Sequence, residues 1–304
     1  MGAQLRVYRQ KITSAQTTKK ITRAMELIAA SRIQRALNAA NAAYPYERSI
    51  TRAVQALVTF SSRIDHPVFH ERSQIRRSAV LVITSDRGLA GAYNANVIRE
   101  VEGLEALLRS EGKDIDFYLV GRKAVGYFEF RNKSYVRAWT GMTDAPTIDT
   151  AIEIRKELMP SYLTGGEAGG VDEIFVIGNR FVSMMLQTPE VVRLLPLKIV
   201  DTSSTDPEYP HEVFPLYTFE PDSETVLNKL VPRYITAKLF SALLQASAAK
   251  HAATQKAMKS ASDNADKLIT TYTRLQNNAR QAEITQQITE IVGGADALAT
   301  NEDE

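Results

Sequence analysis

Residues 233–292 read RYITAKLFSALLQASAAKHAATQKAMKSASDNADKLITTYTRLQNNARQAEITQQITEIV and contain neither glycine nor proline. The same is true of residues 3–44, AQLRVYRQKITSAQTTKKITRAMELIAASRIQRALNAANAAY, near the other end of the chain. Because glycine and proline are the residues that most often end helices, both stretches predict long helices. At a rise of about 1.5 Å per residue, the C-terminal stretch alone would extend about 90 Å. A helix of this length is more typical of a protein that bridges or transmits than of an enzyme active site.

The N-terminal stretch carries apolar residues mostly three or four positions apart, which is helical spacing. The pattern resumes after Pro45, so we expect this proline to kink the helix without ending it. The helix should end in the polar linker at residues 61–67. The predicted apolar face consists of Ile21, Met25, Ile28, Ile33, Leu37, Ala40, Tyr44, Ile50, Val54 and Leu57.

The C-terminal stretch contains an alanine-rich seam with spacings of four and three residues, which is typical of a coiled coil. Each alanine buries little area, so this helix pair should be slim and weakly held unless it is enclosed. The predicted seam consists of Ala253, Ala257, Ala261, Ala265, Leu268, Tyr272, Leu275, Ala279 and Ala282. A second register follows after a phase jump, at Ile284, Ile288, Ile291, Ala295 and Leu298.

Between these stretches the periodicity changes, and twelve of the fifteen glycines lie from Gly88 to Gly178. Short apolar runs alternate with helical patterns there, which indicates a mainly parallel sheet flanked by helices. A glycine-rich segment at residues 165–170 is predicted to be a flexible surface loop. The predicted strands are residues 78–84, 116–121 and 173–178, and the predicted helices are residues 90–110 and 147–162.

Two long helices at opposite ends of one chain must pack antiparallel if they pack together, provided that the connections of the inserted domain lie close in space. The predicted fold is therefore α/β: a long antiparallel coiled coil of the N- and C-terminal helices with an inserted Rossmann-like α/β domain. The expected domains are residues 1–66 for the first helix, residues 67–206 for the α/β domain, and residues 207–304 for a crossing segment and the last helix.

The composition excludes several classes of function. Cysteine is absent, which removes disulfides, thiolate catalysis and cysteine-based metal sites, and the four histidines are scattered. No run approaches the apolar length of a membrane span, and the N-terminus lacks the apolar segment of a secretory signal. Residues 1–58 hold ten Lys or Arg and two acids. This basic first helix suggests an acidic partner, such as nucleic acid, anionic lipid or protein, or else a solvated helix face.

Residues 85–91, SDRGLAG, follow a predicted strand and open a helix, which is where nucleotide-binding folds hold phosphate. The segment lacks the third glycine of the dinucleotide fingerprint and the Lys-Ser/Thr pair of a P-loop, so a structural turn is the favoured interpretation. Asp86, Asp114 and Asp116 lack catalytic partners at suitable spacing and are predicted to be solvated loop acids. We therefore expect no catalytic residue, no cofactor and no metal site.

Several motifs resemble those of the gamma subunits of F-type (F1Fo) ATP synthases of the bacterial type. Near the N-terminus these are residues 12–14, ITS, and residues 18–32, TKKITRAMELIAASR. Near the C-terminus they are residues 262–265, SDNA, residues 279–282, ARQA, and residues 284–295, ITQQITEIVGGA. Residues 83–91, ITSDRGLAG, and residues 219–222, FEPD, are also similar to family motifs. The resemblance therefore covers the whole chain in the right order.

The resemblance implies a noncatalytic rotor subunit whose coiled coil passes through a hexamer of three alpha and three beta subunits. The α/β domain would form a foot that binds the epsilon subunit and the membrane ring of c subunits. Rotation of the asymmetric shaft would change nucleotide affinity in the beta subunits and couple proton transport to ATP synthesis or hydrolysis. The implied location is the cytoplasmic side of the cell inner (plasma) membrane, as a peripheral protein with no direct membrane insertion.

The resemblance also implies contact residues. Family contacts with the alpha/beta hexamer carry over to Lys19, Lys20, Arg23, Met25, Arg280, Gln281, Thr285 and Gln287, and contacts of the foot with epsilon and the c ring carry over to Phe219 and Glu220. Gln287 stands where the family usually has glutamate. Lys250 and Thr254 stand where the family commonly has an acid and an arginine. No charged contact with the hexamer is assumed at these three positions.

Two other functions are compatible with the residues alone. One is a nucleotide-binding α/β enzyme with helical arms, which would bind nucleotide as an isolated chain. The other is a basic coiled-coil scaffold for nucleic acid, whose binding would weaken steeply with salt. The rotor hypothesis predicts neither a bound nucleotide cofactor nor a nucleic-acid partner.

Overall fold

The computed structural model describes residues 2–60, 66–197, 220 and 222–300. In the sequence, two long helices flank a mixed α/β region, as predicted. The elements in chain order are α1 (Gly2–Phe60), a 3-10 turn (Pro67–Phe69), β1 (Arg77–Ile83), α2 (Tyr93–Ser110), β2 (Asp114–Val120), α3 (Arg122–Phe130), β3 (Arg137–Trp139), α4 (Ile148–Thr164), a second 3-10 turn (Gly166–Ala168), β4 (Glu173–Phe181), β5 (Gln187–Leu195) and α5 (Ser223–Thr300).

The two terminal helices are longer than the breaker-free stretches that predicted them. Helix α1 has 59 residues and continues through Pro45, which is exposed. Helix α5 has 78 residues, begins at Ser223 and contains Pro232 near its start. It also passes through Gly293. A single proline or glycine costs about 1–3 kcal/mol within a helix, and packing along a long helix outweighs this cost.

The five strands form one sheet in the order β3-β2-β1-β4-β5. Strands β1 to β4 are parallel and β5 is antiparallel to β4. The mainly parallel, doubly wound arrangement is therefore confirmed, with the first-half strand order of a Rossmann fold. Strands β3 and β5 lie at the two edges and were not predicted. Strand β5 contains Pro189, a residue that sheets tolerate only at an edge or a bulge.

Helices cover both faces of this sheet. Because side chains alternate along a strand, Val80 and Val82 of β1 face one side while Leu81 and Ile83 face the other. The first side packs against α2 and α3, through Val97, Val101, Leu104, Leu108, Ala124 and Phe128. The second side packs against α4 and the beginning of α5, through Ile154, Leu158, Tyr162, Leu227, Val231 and Ile235. The α/β core therefore has three layers.

The chain divides into two compact units. The helical unit consists of α1 up to Ile28 and α5 from Gln255 onward. The α/β unit consists of Ala29–Thr254 and includes the remainder of both helices. Within the described part of the chain, no helix combines the length and hydrophobicity that would let it cross a bilayer.

The glycine-rich segment at residues 165–170 differs from the predicted flexible loop, because it forms a defined 3-10 turn between α4 and β4. The Gly166 N–H donates to Asp172 Oδ1 at 2.9 Å, and the Gly170 N–H donates to the Gly165 carbonyl at 2.7 Å. A side chain at Gly170 would place its Cβ 2.1 Å from the Ser161 carbonyl oxygen. The glycines therefore serve close backbone packing rather than mobility.

Candidate partner-binding surface

In the helical unit, α1 and α5 pack antiparallel. Lys19 Nζ lies 2.7 Å from Asp266 Oδ1, and Lys11 Nζ lies 5.2 Å from the centre of the Tyr272 ring. The residue numbers of these two pairs add up to nearly the same value, 285 and 283, which is the case when two helices run in opposite directions. The α/β unit has the same arrangement, in which Lys238 Nζ lies 2.8 Å from Glu47 Oε1.

The inward face of α1 differs from the predicted apolar face. Its buried positions in the helical unit are Ala15, Thr22 and Glu26, which follow the heptad alternation of three and four residues with Lys19 between them. The predicted Ile21 and Ile28 are instead 56% and 51% exposed. The prediction was wrong here because it selected the most apolar residues, whereas the helix pair buries small and polar ones.

The α5 seam requires a smaller correction. Ala265 and Tyr272 lie in the seam as predicted, but Leu268 is exposed and Ile269 takes the inward position. Ala282 is also exposed, and Glu283 is the less exposed neighbour. The observed seam keeps an unbroken alternation of four and three residues, through Met258, Ser262, Ala265, Ile269, Tyr272, Gln276, Ala279 and Glu283.

The outward face of α1 in the helical unit is both apolar and basic. Ile21, Met25 and Ile28 are three or four positions apart and therefore share one side of the helix; Met25 is half-buried and the two isoleucines are exposed. Lys20 and Arg23 are exposed beside them. Two of the predicted contact residues also have internal partners, because Lys19 pairs with Asp266 and Arg23 Nη1 lies 2.8 Å from Glu26 Oε2.

The C-terminal turns of α5 extend past the start of α1. With pair sums of 283 to 285, Gly2 at the start of α1 faces α5 near residues 281 to 283, while α5 continues to Thr300. Ile284, Ile288 and Ile291 of this segment are 47%, 56% and 72% exposed. The predicted contact residues Arg280, Gln281, Thr285 and Gln287 are also exposed there.

The two predicted foot residues are only partly placed. Phe219 lies outside the described residues, and Glu220 is exposed shortly before α5. Asp222 caps this helix, since the Thr225 N–H donates to Asp222 Oδ1 at 2.8 Å and the Thr225 hydroxyl donates to Asp222 Oδ2 at 2.8 Å. A contact of Glu220 with another subunit stays a prediction.

Asp86 occupies the position where doubly wound folds usually bind phosphate, at the carboxyl edge of the sheet. Its Oδ1 accepts from the N–H groups of Gly141 at 2.8 Å and Arg122, the first residue of α3, at 3.2 Å. Its Oδ2 accepts from the Thr143 hydroxyl at 2.7 Å and the Thr143 N–H at 3.1 Å. Partial burial raises the pKa of Asp86, but these hydrogen bonds outweigh it and leave the pKa lowered.

Asp86 is therefore not the solvated loop acid that the sequence suggested. Its carboxylate takes the place that a phosphate would need at the start of α3. The cavity beside it, lined by Ser85, Tyr93 and Lys250 among others, has a volume of about 10 Å³, which suits one water molecule and is far below the volume of a ligand pocket. This geometry favours a structural turn at residues 85–91 over a nucleotide site.

Asp144, in the loop between β3 and α4, was not singled out from the sequence. Its Oδ1 lies 2.5 Å from Lys250 Nζ on α5, and its Oδ2 lies 3.0 Å from Arg32 Nη1 on α1. Partial burial raises the pKa of Asp144, but Lys250, with His251 and Arg32, outweighs it and leaves the pKa lowered. Lys250 and Thr254 are both buried. The two positions that depart from the family pattern therefore lie inside the α/β unit and are not available to a partner subunit.

The described surfaces define a class of protein: an α/β domain inserted between two long helices, with exposed apolar and basic faces suited to protein partners. Comparisons with known proteins agree with this class. A family described as ATP synthase matches residues 4–298. The ATP synthase gamma chain of Clavibacter michiganensis subsp. michiganensis is 60% identical over 301 residues, which is 99% of this chain and 100% of that protein. The gamma chain of Leifsonia xyli subsp. xyli is 59% identical, covering 99% of each chain.

The chain belongs to the ATP synthase gamma chain family. Solved structures share its fold at low identity. A chain of the Euglena gracilis mitochondrial ATP synthase, in an assembly of OSCP, F1 and c-ring, has a TM-score of 0.68 at 16% identity and covers 100% of this chain and 97% of its own length. A chain of the rotor of the same enzyme in another rotational state has a TM-score of 0.64 at 17% identity, covering 93% of this chain and 100% of its own.

Proposed function

We propose that this chain is the central-stalk rotor of a proton-translocating ATP synthase and has no catalytic residues of its own. In this role it links rotation of the membrane c ring to changes in nucleotide affinity in the three catalytic beta subunits. Family membership supports the assignment to ATP synthase. The exposed surface of the helical unit supports the particular role of a shaft enclosed by other subunits.

The exposed isoleucines carry this proposal. Ile21 and Ile28 on α1 and Ile284, Ile288 and Ile291 on α5 keep about half or more of their surface accessible. Exposed large apolar side chains grouped on one helix segment mark sites of protein contact. A sleeve formed by three alpha and three beta subunits would cover them. The small and polar seam between the helices gives a slim shaft that fits within such a sleeve.

Charge distinguishes the two sides of this shaft. Up to Ile28, α1 has six Lys or Arg and one acid, whereas α5 from Gln255 to Thr300 has five of each. One helix is therefore strongly basic and the other is near neutral. As the shaft turns, each beta subunit meets a basic side and then a neutral side in sequence. Acidic loops on the beta subunits would bind the basic side through Lys19, Lys20 and Arg23, with Met25 packing between them.

The C-terminal segment provides a second contact with the hexamer. Exposed isoleucines alternate here with exposed polar side chains around the helix. These polar residues are Arg280, Gln281, Thr285 and Gln287. A contact that must allow rotation needs apolar surface without side chains inserted deeply into pockets of the partner. The alternating polar and apolar side chains of α5 would provide such a surface. Gln287 is uncharged and would contribute a hydrogen bond rather than an ion pair.

The foot contacts complete the proposal. Glu220, with Phe219, would contact the epsilon subunit and the c ring. Such binding would place the chain as a peripheral protein at the cytoplasmic side of the cell membrane. Transport of hydrogen ions through the ring would then turn the shaft during ATP synthesis.

Reconstitution tests the proposed function. The purified chain is mixed with cognate alpha and beta subunits, and complex formation and ATP hydrolysis are measured. We expect a stable complex with restored hydrolysis. Absence of both would overturn the proposal. Titration of the isolated chain with ATP serves as the control for the enzyme alternative, because micromolar binding by the chain alone would contradict a pure shaft.

A further inference from the structure

Asp144 contacts both long helices through all three of its oxygen atoms. Its carboxylate oxygens bind Lys250 of α5 at 2.5 Å and Arg32 of α1 at 3.0 Å. Its main-chain carbonyl accepts from the Ser247 hydroxyl at 3.0 Å and from His251 Nε2–H at 3.1 Å, both on α5. One loop residue of the α/β unit is thus bound at four points to two helices.

The ion pair with Lys250 is enclosed. The Lys250 side chain is 6% exposed, compared with 28% for Asp144. A buried ammonium group needs a paired charge, because desolvation without a partner is strongly unfavourable. Lys250 therefore holds the loop in one position, whereas an exposed pair could exchange its partner for water.

The contacts continue from Asp144 into the sheet. The adjacent Thr143 donates its hydroxyl hydrogen to Asp86, and the same hydroxyl accepts from the Asp86 N–H at 2.9 Å. Asp86 in turn binds the N–H groups of Gly141 and Arg122. A continuous set of hydrogen bonds therefore runs from the end of β1 and the start of α3, through residues 141–144, to α1 and α5.

Directional contacts of this kind differ from the surrounding apolar packing. Apolar side chains such as Leu243 and Ala246 pack in the core through contacts that have no fixed direction. Charge-assisted hydrogen bonds weaken steeply when their geometry changes. Asp144 therefore supplies directional contacts that fix the loop against both helices.

We propose that Asp144 is a positioning residue that fastens the loop at residues 141–144 to the parts of α1 and α5 that belong to the α/β unit, so that load between the sheet and these helix segments passes through this loop. This inference rests on the proposed function, since only a rotor carries such a load. The network occupies the edge of the sheet where related folds bind ligands. In this chain that edge serves as a mechanical joint instead.

The test uses Asp144→Asn in the complete ATP synthase reconstituted into vesicles. ATP hydrolysis and ATP-driven proton pumping are measured on the same preparation at 25 °C. We expect hydrolysis within about twofold of wild type, with protons pumped per ATP reduced about threefold, a change typical of losing one coupling contact. The matched control is Glu105→Gln, which removes an ion pair with Lys133 at 2.5 Å inside the α/β domain and should keep the wild-type ratio.

The outcomes separate this inference from the proposed function. If the wild-type chain neither assembles nor pumps, the rotor proposal fails. If the wild type pumps and Asp144→Asn pumps as many protons per ATP as the wild type, the proposed role of Asp144 is overturned. Asp144→Glu retains the negative charge, so we expect it to pump more protons per ATP than Asp144→Asn. A defect in folding would instead lower ATP hydrolysis to the same extent and would change the circular dichroism spectrum. Should Asp144→Asn fail to fold, Lys250→Met provides the same test from the other partner, and a wild-type ratio there would likewise overturn the joint.

Discussion

Lys19 of α1 and Asp266 of α5 form an ion pair across the helical unit, with 2.7 Å between Nζ and Oδ1. The pair is compatible with one antiparallel register of the two helices, the register in which Lys19 faces Asp266. Both side chains are about half exposed, 44% and 50%. The pair therefore specifies alignment more than it stabilises the fold.

Replacing Lys19 with Met should have a small effect on the free energy of unfolding. Exposed ion pairs contribute about 0.2–1 kcal/mol, and we expect a loss in that range. A double-mutant cycle with Asp266→Asn, followed by denaturant unfolding, measures the pair directly. A coupling energy above about 2 kcal/mol would contradict the view that the pair mainly sets register.

Neighbouring positions on α1 should respond oppositely to the same substitution. Ile21→Asp places a charge on the outward face, so stability should change by about 0.5 kcal/mol or less, while affinity for the alpha/beta hexamer falls about tenfold or more. Thr22→Asp places a charge in the buried seam and should lower the free energy of unfolding by about 1–3 kcal/mol. Calorimetry and a hexamer-binding assay distinguish the two. Equal destabilisation by both variants would show that Ile21 does not face outward.

Ending the chain after Arg280 should weaken coupling more than assembly. The removed segment includes the exposed Ile284, Ile288 and Ile291, which would contact several subunits in turn without anchoring to one of them. We expect the truncated chain to assemble with the hexamer while proton pumping per ATP declines. Size-exclusion chromatography and vesicle pumping report the two properties. Loss of both to the same extent would contradict a rotating contact.

The stability of the α/β unit should fall as the pH decreases below 6.5, in part because of His251. Burial lowers the pKa of His251 below its usual value of 6.5, and the charges of Lys250 and Arg32 lower it further, although its contacts with Asp144 oppose this. A histidine with a lowered pKa in the folded state stabilises the protein fully above pH 6.5, and this contribution is lost as protons bind preferentially to the unfolded chain below that pH.

His251→Gln should therefore flatten the dependence of unfolding free energy on pH between about 7.5 and 5.5, because glutamine can still donate to the Asp144 carbonyl but does not titrate. The wild-type protein, measured at the same pH values, gives the reference slope. Denaturant unfolding at several pH values provides the measurement. An unchanged slope in His251→Gln would refute the role of this histidine.

The sequence predicted the long helices and the parallel strands because both depend on local patterns. The absence of glycine and proline predicts α1 and α5, and the apolar run at residues 78–84 predicts β1. Edge strands were missed since their signals are weak: β3 has three residues and β5 contains Pro189. Their places depend on pairing with β2 and β4 rather than on composition.

The candidate contact surface was predicted only in part, for a physical reason. Hydrophobicity placed Ile21 and Ile28 in the seam, but heptad geometry places Thr22 and Glu26 there and turns the isoleucines outward. An apolar helix face can be buried either within the chain or by another protein. The sequence pattern of one chain does not distinguish these two cases. The Asp144 contacts were beyond sequence reasoning too, because Lys250 and Asp144 are 106 positions apart.

A reversible disulfide gives the most direct test of the rotor account. All three beta subunits carry the same engineered cysteine and one of them is tagged; a cysteine at Thr285 is oxidised to the cysteine of the tagged subunit in the assembled enzyme, and the bond is then reduced, ATP is added, and the sample is reoxidised. Rotation predicts that the new disulfide is shared equally among the tagged and untagged beta subunits after turnover, and stays with the tagged subunit when ATP is omitted. A disulfide that returns only to the tagged subunit after many turnovers would contradict the account.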